Sequence, residues 1–351
     1  MQLEEVQARR DAEVCAALVA ATPALAAEAQ RLGAVARACR ASVVDALLAH
    51  GLVTPEQTTA AARAAAEGAA PLPWRRLEVL GEAGRGQQGV VYFARPQGGG
   101  ELLALKVLRP PTLGEPEPPN RRARFHREAR LLARLRHPAL VRLHDAGEDG
   151  GRLYLLTEAL PGGSLDGRGP LPPGHALAVG AFVARGLDHA HAAGVVHRDL
   201  KPGNVLVDAA GGPRVVDFGL AGEADAEQSL TGSRGLVGTT TWAAPEQLVR
   251  AGQVDAAADV FSLGALVWYL LTGAPPFGSP RSYGAFFEAA RRGPPPLGAR
   301  AGLSGDQALL LEHVLGEALR LDPATRLPMR ALGEALEAVA ASLGALGRRS
   351  R

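Results

Sequence analysis

The segment His197-Arg198-Asp199-Leu200-Lys201-Pro202-Gly203-Asn204 carries a carboxylate, an ammonium two residues later and a carboxamide five residues later. In an extended loop these three can share one pocket as base, charge neutraliser and metal ligand. Asp217-Phe218-Gly219 follows the apolar Val215-Val216 and offers a second carboxylate for Mg2+ at a strand end. Gly84-Arg85-Gly86-Gln87-Gln88-Gly89 fits the G-x-G-x-x-G spacing, which alone is shared by dinucleotide folds and nucleotide-binding hairpins. A dinucleotide fingerprint must open a helix, yet Val90-Val91-Tyr92-Phe93-Ala94 continues as a strand, and the chain has no Gly-Lys-Ser/Thr of a P-loop. What remains is a hairpin flap whose backbone N–H groups can approach phosphates because no Cβ obstructs them.

Composition singles out two further residues. Of the 38 basic residues only Lys106 and Lys201 are lysines. In a chain so biased toward arginine, lysine is expected where a compact point charge is needed and a planar fork does not fit. Lys106 lies on the apolar stretch Leu102-Leu103-Ala104-Leu105-Lys106-Val107-Leu108, where an unpaired ammonium would be costly. On a helix expected over 121–136, Glu128 shares a stripe with Phe125, Leu132 and Leu135, so it too needs a partner. Pairing Lys106 with Glu128 answers both needs and sets a cation where phosphate oxygens can arrive.

The elements that must hold these groups change character along the chain. Residues 1–72 are alanine-rich and helical in spacing, with an αα-hairpin over about 42–68 marked by Thr54-Pro55-Glu56-Gln57, and 69–73 read as a linker. From Trp74 short runs at 77–80, 90–93 and 102–108 read as strands joined by glycine-rich turns, and a proline-rich loop over 110–119 follows. Beyond a strand at 153–156 the chain reads as mostly helical, giving a small β-rich lobe and then a larger α-rich one.

The totals exclude several classes. Hydrophobic residues at 47% and charged residues at 21% fit a chain with a core, and a net charge of +2 offers no broad positive field for nucleic acid. The arginine-rich stretch 121–136 reads as a solvated face. Cys15 and Cys39 form no C-x-x-C pair, which predicts a reducing compartment, and His189 and His191, two apart on a helix, point away from each other and give no zinc site. The start is acidic and no run reaches the roughly 20 apolar residues of a membrane span.

These motifs together resemble the eukaryotic-type (Hanks-type) bacterial serine/threonine protein kinase family, over about three quarters of the chain, 74–346, leaving 347–351 as a short basic tail. Gly84 to Val91 resembles the glycine-rich loop, Lys106 the phosphate-binding lysine, and Glu128 its helix partner. Thr157 resembles the gatekeeper and Glu158 to Leu160 the hinge that meets adenine. Ala244-Pro245-Glu246 resembles the end of the activation segment, with Arg326 the expected partner of Glu246, and Asp259-Val260-Phe261-Ser262-Leu263-Gly264 a buried anchor helix. Thr240-Thr241-Trp242-Ala243 departs from the commoner residues and leaves acceptor preference open.

The resemblance implies an α+β bilobal protein-kinase fold preceded by an α-helical segment, transferring the γ-phosphoryl group of ATP to protein Ser/Thr hydroxyls. Asp199, Lys201, Lys106 and Glu128 would be catalytic, and Asn204 and Asp217 would hold Mg2+. Gly84, Gly86, Gly89, Val91, Ala104, Lys106, Thr157, Glu158, Leu160 and Leu206 would line the ATP site. Arg198, with Thr231 and Ser233 as autophosphorylation sites, would be regulatory. A pseudokinase or adaptor scaffold and a small-molecule phosphotransferase are the alternatives. The expected cofactors are ATP and Mg2+ and the expected partners protein substrates, in the cytoplasm, without nucleic acid or a membrane span; residues 1–72 have no role assigned by the sequence and are left open to a protein partner.

Overall fold

The computed structural model describes residues 15, 18–19, 22–27, 29–30, 52–54, 77–86, 88–109, 121–149, 151–218, 241–249, 254–280, 282–298, 303 and 305–347. The αα-hairpin apart from 52–54, the linker 69–73, the loop 110–119, Gly219, Thr231, Ser233, Gly238, Thr239 and the tail after 347 lie outside the described residues. The chain divides into two compact units, 1–126 with 144–157 and 127–143 with 158–351.

The first unit is built on a five-stranded sheet of β1 Leu77–Arg85, β2 Gly89–Pro96, β3 Leu103–Leu108, β4 Leu143–Asp149 and β5 Arg152–Glu158, in the order β1-β2-β3-β5-β4. β1 with β2 and β2 with β3 pair antiparallel. Side chains alternate across β3, so Leu103 and Leu105 are buried on one face and Ala104 and Lys106 point to the other. Leu105 packs with Ala94 and Tyr154 as a small core, bordered by Leu77, Tyr92, Val107 and Leu156. The Tyr154 hydroxyl donates to Asp145 Oδ2 at 2.8 Å and ties β5 to β4; burial and that carboxylate push its pKa up. In the N-terminal region Leu18, Leu25, Ala29 and Val53 are buried.

Helix α1, Arg121–Leu132, starts in the first unit and ends in the second. The second unit carries α2 Pro173–Ala192, the hairpin of β6 Val205–Val207 and β7 Pro213–Val215, then α3 Pro245–Val249, α4 Ala256–Thr272, α5 Tyr283–Arg292, α6 Gly305–Ala318 and α7 Met329–Gly347. Helix α4 is its centre. Asp255 caps it by accepting from Ala257 N–H, and Gly273 at φ 75° ends it. Residues 258–271 are all buried, as expected of a helix apolar on every side. Each large apolar side chain there contributes about 1.5–3 kcal/mol relative to exposure. Gly180 lets α2 come close to α4: a Cβ at that position would lie 2.5 Å from Val267 Cγ2. Among the described residues no helix is long and apolar enough to cross a membrane.

Two local expectations change and one strand is added. The glycine turn is tighter than its motif, because Gly84 and Arg85 still belong to β1 and Gly89 opens β2, with Gly86 N–H donating to Gly89 O at 2.9 Å. The helix expected over 121–136 is α-helical only to Leu132. β4, Leu-His-Asp-Ala-Gly-Glu-Asp, has no apolar alternation to betray it and becomes a strand at the sheet edge beside β5.

Candidate active site

The expected loop is shaped from below by a buried carboxylate. Asp259, in the first turn of α4 and fully buried, accepts from His197 N–H and Arg198 N–H at 2.8 Å each and meets His191 Nε2 at 2.7 Å. A carboxylate in an apolar helix needs such charge-assisted partners, and here two of them are consecutive amides of the loop. Arg198 is thereby held at φ 65°, one of two non-glycine residues at positive φ among the described residues; the other is Asp217 at φ 58°. Left-handed backbone costs a side-chain-bearing residue about 1–3 kcal/mol and persists only where its surroundings over-determine it.

His197 joins the loop to the strand that precedes Asp217. Its Nε2 bonds Val216 O at 2.8 Å and its Nδ1 accepts from Asp199 N–H at 3.2 Å, so the ring is the neutral tautomer with the proton on Nε2. The ring also lies 4.8 Å from that of Phe218, centroid to centroid. Val216 N–H donates to Asn204 O at 2.9 Å. One histidine and one amide thus bring Asp199, Asn204 and Asp217 onto adjoining backbone.

The side chains then meet. Lys201 Nζ donates to Asp199 Oδ2 at 2.7 Å, and Asn204 Nδ2 donates to the same oxygen at 3.0 Å and to Asp199 O at 2.7 Å. Both bonds to the carboxylate fall on Oδ2. The Asn204 amide nitrogen is committed to Asp199, which leaves the carboxamide oxygen Oδ1 as the end of that side chain able to act as a ligand. Asn204 Oδ1 and the Asp217 carboxylate, on residues joined through the Val216–Asn204 backbone bond, are both oxygen donors, the type a hard cation such as Mg2+ takes.

The β6–β7 hairpin holds Asn204 and Asp217 at its two ends. Asp208 organises its turn, accepting from Ala210 N–H and Gly212 N–H and from Arg214 Nε at 2.9, 2.8 and 3.0 Å. Burial works to raise the Asp208 pKa, but the Gly212 amide and the Arg214 guanidinium outweigh it and hold the carboxyl below its usual range. Leu206 sits in β6 opposite Arg214. Where the chain re-enters the second unit, Glu158 exchanges two bonds with Arg142, N–H to O at 3.1 Å and Oε1 from N–H at 2.8 Å, and Leu160 is buried. Thr157 ends the preceding unit.

The first unit gathers its own set. Val91 stands opposite Lys106 and Phe93 opposite Ala104, which puts Val91, Ala104 and Lys106 on one face of the sheet. Lys106 Nζ donates to Gln88 Oε1 in the glycine turn at 2.9 Å. The three glycines differ in kind: a Cβ on Gly84 or Gly86 would meet nothing within 4 Å, whereas one on Gly89 would lie 2.1 Å from Val107 O. Open space at the first two suits a ligand's approach, and Gly89 is required by the close passage of β3. Lys106 lies in the first unit and Glu128 in the second.

Ala244-Pro245-Glu246 is anchored as its motif implied. Arg326 Nη1 and Nη2 donate to Glu246 Oε1 and Oε2 at 2.6 and 2.7 Å. Two contributors carried no signal in the sequence: Gln247, whose amide reaches Arg198 O at 2.7 Å, and His191 as a partner of Asp259. His189 turns the other way and stacks on His137, 5.5 Å between ring centroids.

Residues 77–329 match the family described as protein kinase domain. The chain is 41% identical over 209 residues to the DNA damage-responsive serine/threonine-protein kinase RqkA of Deinococcus radiodurans, covering 58% of this chain and 30% of that one. It is 35% identical over 259 residues to the serine/threonine-protein kinase PknB of Mycobacterium tuberculosis, covering 71% of this chain and 40% of that one. The chain thus spans less than half the length of these curated relatives. The crystal structure of the Mycobacterium tuberculosis PknI kinase domain superposes with a TM-score of 0.58 at 29% identity, covering 77% of this chain and 98% of that one.

Proposed function

The chain belongs to the protein kinase domain family, and from that premise we propose that it transfers the γ-phosphoryl group of ATP to serine or threonine hydroxyls of proteins. The observation that carries this reading is the Asp199 carboxylate, held through Oδ2 by the Lys201 ammonium at 2.7 Å and the Asn204 amide at 3.0 Å. That arrangement supports Oδ1 as the oxygen that receives the acceptor proton. As the hydroxyl oxygen bonds to the γ-phosphorus, the bond from that phosphorus to the β,γ-bridging oxygen breaks. ADP leaves with the electron pair and the proton passes to Asp199. Lys201, already beside the carboxylate, neutralises charge on the group in transit.

In this reading Lys106 holds the α- and β-phosphates, and Glu128 is the carboxylate assigned as its counterpart. Gly84 and Gly86 give the flap its close approach, Gly89 keeps it on β3, and Val91, Ala104 and Thr157 of the first unit and Glu158, Leu160 and Leu206 of the second are the residues assigned to adenine. Mg2+, when bound, neutralises phosphate oxygens as a Lewis acid, and Asn204 Oδ1 and the Asp217 carboxylate are the groups suited to hold it. Arg198, beside the base, is the regulatory arginine, and Thr231 and Ser233 are the hydroxyls it reads once phosphorylated. Residues 1–72 stand apart from this set as the segment for a protein partner, and the reaction belongs to the cytoplasm, where ATP is.

Incubation with Mg-ATP and casein, followed by phosphosite mapping, tests the reading. Phosphoserine and phosphothreonine are expected on casein, and on Thr231 and Ser233 of the chain itself. A Thr231→Ala/Ser233→Ala double variant with full activity would remove the regulatory part alone. Transfer to small alcohols without transfer to protein would favour a small-molecule phosphotransferase.

A further inference from the structure

Gln247 is the third residue of α3, directly after the Glu246 that Arg326 holds. Its carboxamide bridges two backbones. Oε1 accepts from Ala244 N–H at 2.9 Å and Nε2 donates to Arg198 O at 2.7 Å. The Arg198 carbonyl belongs to the peptide that leads into Asp199. On its other side Arg198 gives its N–H to Asp259 Oδ1 at 2.8 Å. The left-handed residue at φ 65° is therefore gripped from both ends, by a carboxylate on its amide and by Gln247 on its carbonyl.

The bridge leads to one particular stretch of chain. Two residues before Ala244, the Trp242 carbonyl accepts from Ser262 Oγ at 2.9 Å, and the Trp242 ring meets Tyr269 edge-on at 5.4 Å. Both partners lie on α4, the helix that also supplies Asp259. Residues 242–247 and the loop at 197–199 thus rest on the same helix, and Gln247 joins them directly. The task needs a donor and an acceptor on one side chain of this length. Glutamate has no donor when ionised, and methionine has only a weak sulfur acceptor.

We propose that Gln247 is a positioning residue for phosphoryl transfer, locking the end of the activation segment, taken in the kinase reading as the seat of the acceptor peptide, to the peptide bond that orients Asp199. It touches neither acceptor nor nucleotide. It acts through Arg198 O on the direction of the base and through Ala244 N–H on the seat of the acceptor. The inference rests on the protein-kinase reading above.

Two substitutions in the full chain separate its two ends. Gln247→Glu keeps an acceptor for Ala244 N–H but sets a carboxylate oxygen against Arg198 O. Its kcat on casein should fall on the order of 10- to 100-fold, the scale of a small misplacement of a catalytic group, with KM for casein and for ATP unchanged. Gln247→Met loses both bonds, so the same fall in kcat should come with a severalfold rise in KM for casein and an unchanged KM for ATP. A folded Gln247→Glu chain that keeps kcat within about threefold of wild type overturns the proposal, whatever the methionine variant does. So does a Gln247→Glu chain that fails to fold by circular dichroism, because Gln247 would then be a residue of the fold and not of positioning. An inactive wild type would remove the kinase reading itself and the inference with it; an active wild type matched by both variants removes the inference alone.

Discussion

Arg326 closes on Glu246 with two parallel bonds of 2.6 and 2.7 Å, its side chain fully buried and its guanidinium 5.1 Å from the Phe261 ring centroid. Its remaining donors reach the carbonyls of Arg320, Ala257 and Leu321. The pair thereby ties α3, and with it Gln247, to α4 and to the turn before α7.

Removing one partner leaves a buried charge uncompensated. Glu246→Ala should lower the unfolding free energy by about 3–5 kcal/mol, and Arg326→Ala by more, because three carbonyls also lose their donor. Urea unfolding read by circular dichroism checks both. A loss under about 1 kcal/mol for either would contradict the account of the pair.

The glycine turn predicts a contrast between two neighbours. Gly86→Ala adds a Cβ into open space, so the unfolding midpoint should stay within error of wild type while KM for ATP rises. Gly89→Ala drives a Cβ to 2.1 Å from Val107 O, where only backbone can give way, so β2 and β3 must part and stability should fall. Equal thermal midpoints for the two variants would contradict this division.

A pH dependence follows from His137. Burial first, then the charges of His189 and Arg185, holds its pKa below the ordinary 6.5. Below that pH the unfolded chain takes up a proton that the folded His137 declines, so stability falls as pH drops through this window and is flat above it. Urea midpoints at about pH 7.5 and about pH 5.5 should differ in wild type, and His137→Gln should narrow the difference. An unchanged difference in the variant would contradict the assignment.

What the sequence disclosed depended on distance along the chain. Asp199, Lys201 and Asn204 lie within six residues, so their mutual bonds were legible as spacing, and period-two alternation already set Lys106 across β3 from Leu105. Gln247 bonds a carbonyl 49 residues away and His191 a carboxylate 68 residues away, and only the packing of both segments on α4 brings such partners together. β4 carries no strand signal in its sequence because its polar residues owe their strand conformation to pairing in the sheet rather than to propensity. Thr231 and Ser233 rest on the resemblance alone and lie outside the described residues.

Lys106 tests the scarcity of lysine directly. Its ammonium sits within 2.9 Å of Gln88 Oε1, on a strand face shared with Val91 and Ala104. Lys106→Arg keeps the charge but substitutes a planar fork for a point, and transfer to casein should fall by at least about a hundredfold with an unchanged unfolding midpoint. Activity within about threefold of wild type would contradict the role assigned to it.

The most direct measurement concerns Asp199. Its carboxylate is assigned to the acceptor proton and not to nucleotide, so Asp199→Asn should separate the two functions. Transfer of radiolabelled phosphate from ATP to casein, and the affinity for Mg-ATP by titration calorimetry, are measured on wild type and variant together. The account predicts active wild-type protein, a variant with turnover reduced by at least about a hundredfold, and nucleotide affinities within about threefold of each other. A variant that still phosphorylates casein at the wild-type rate, or one that loses nucleotide binding along with turnover, would contradict it.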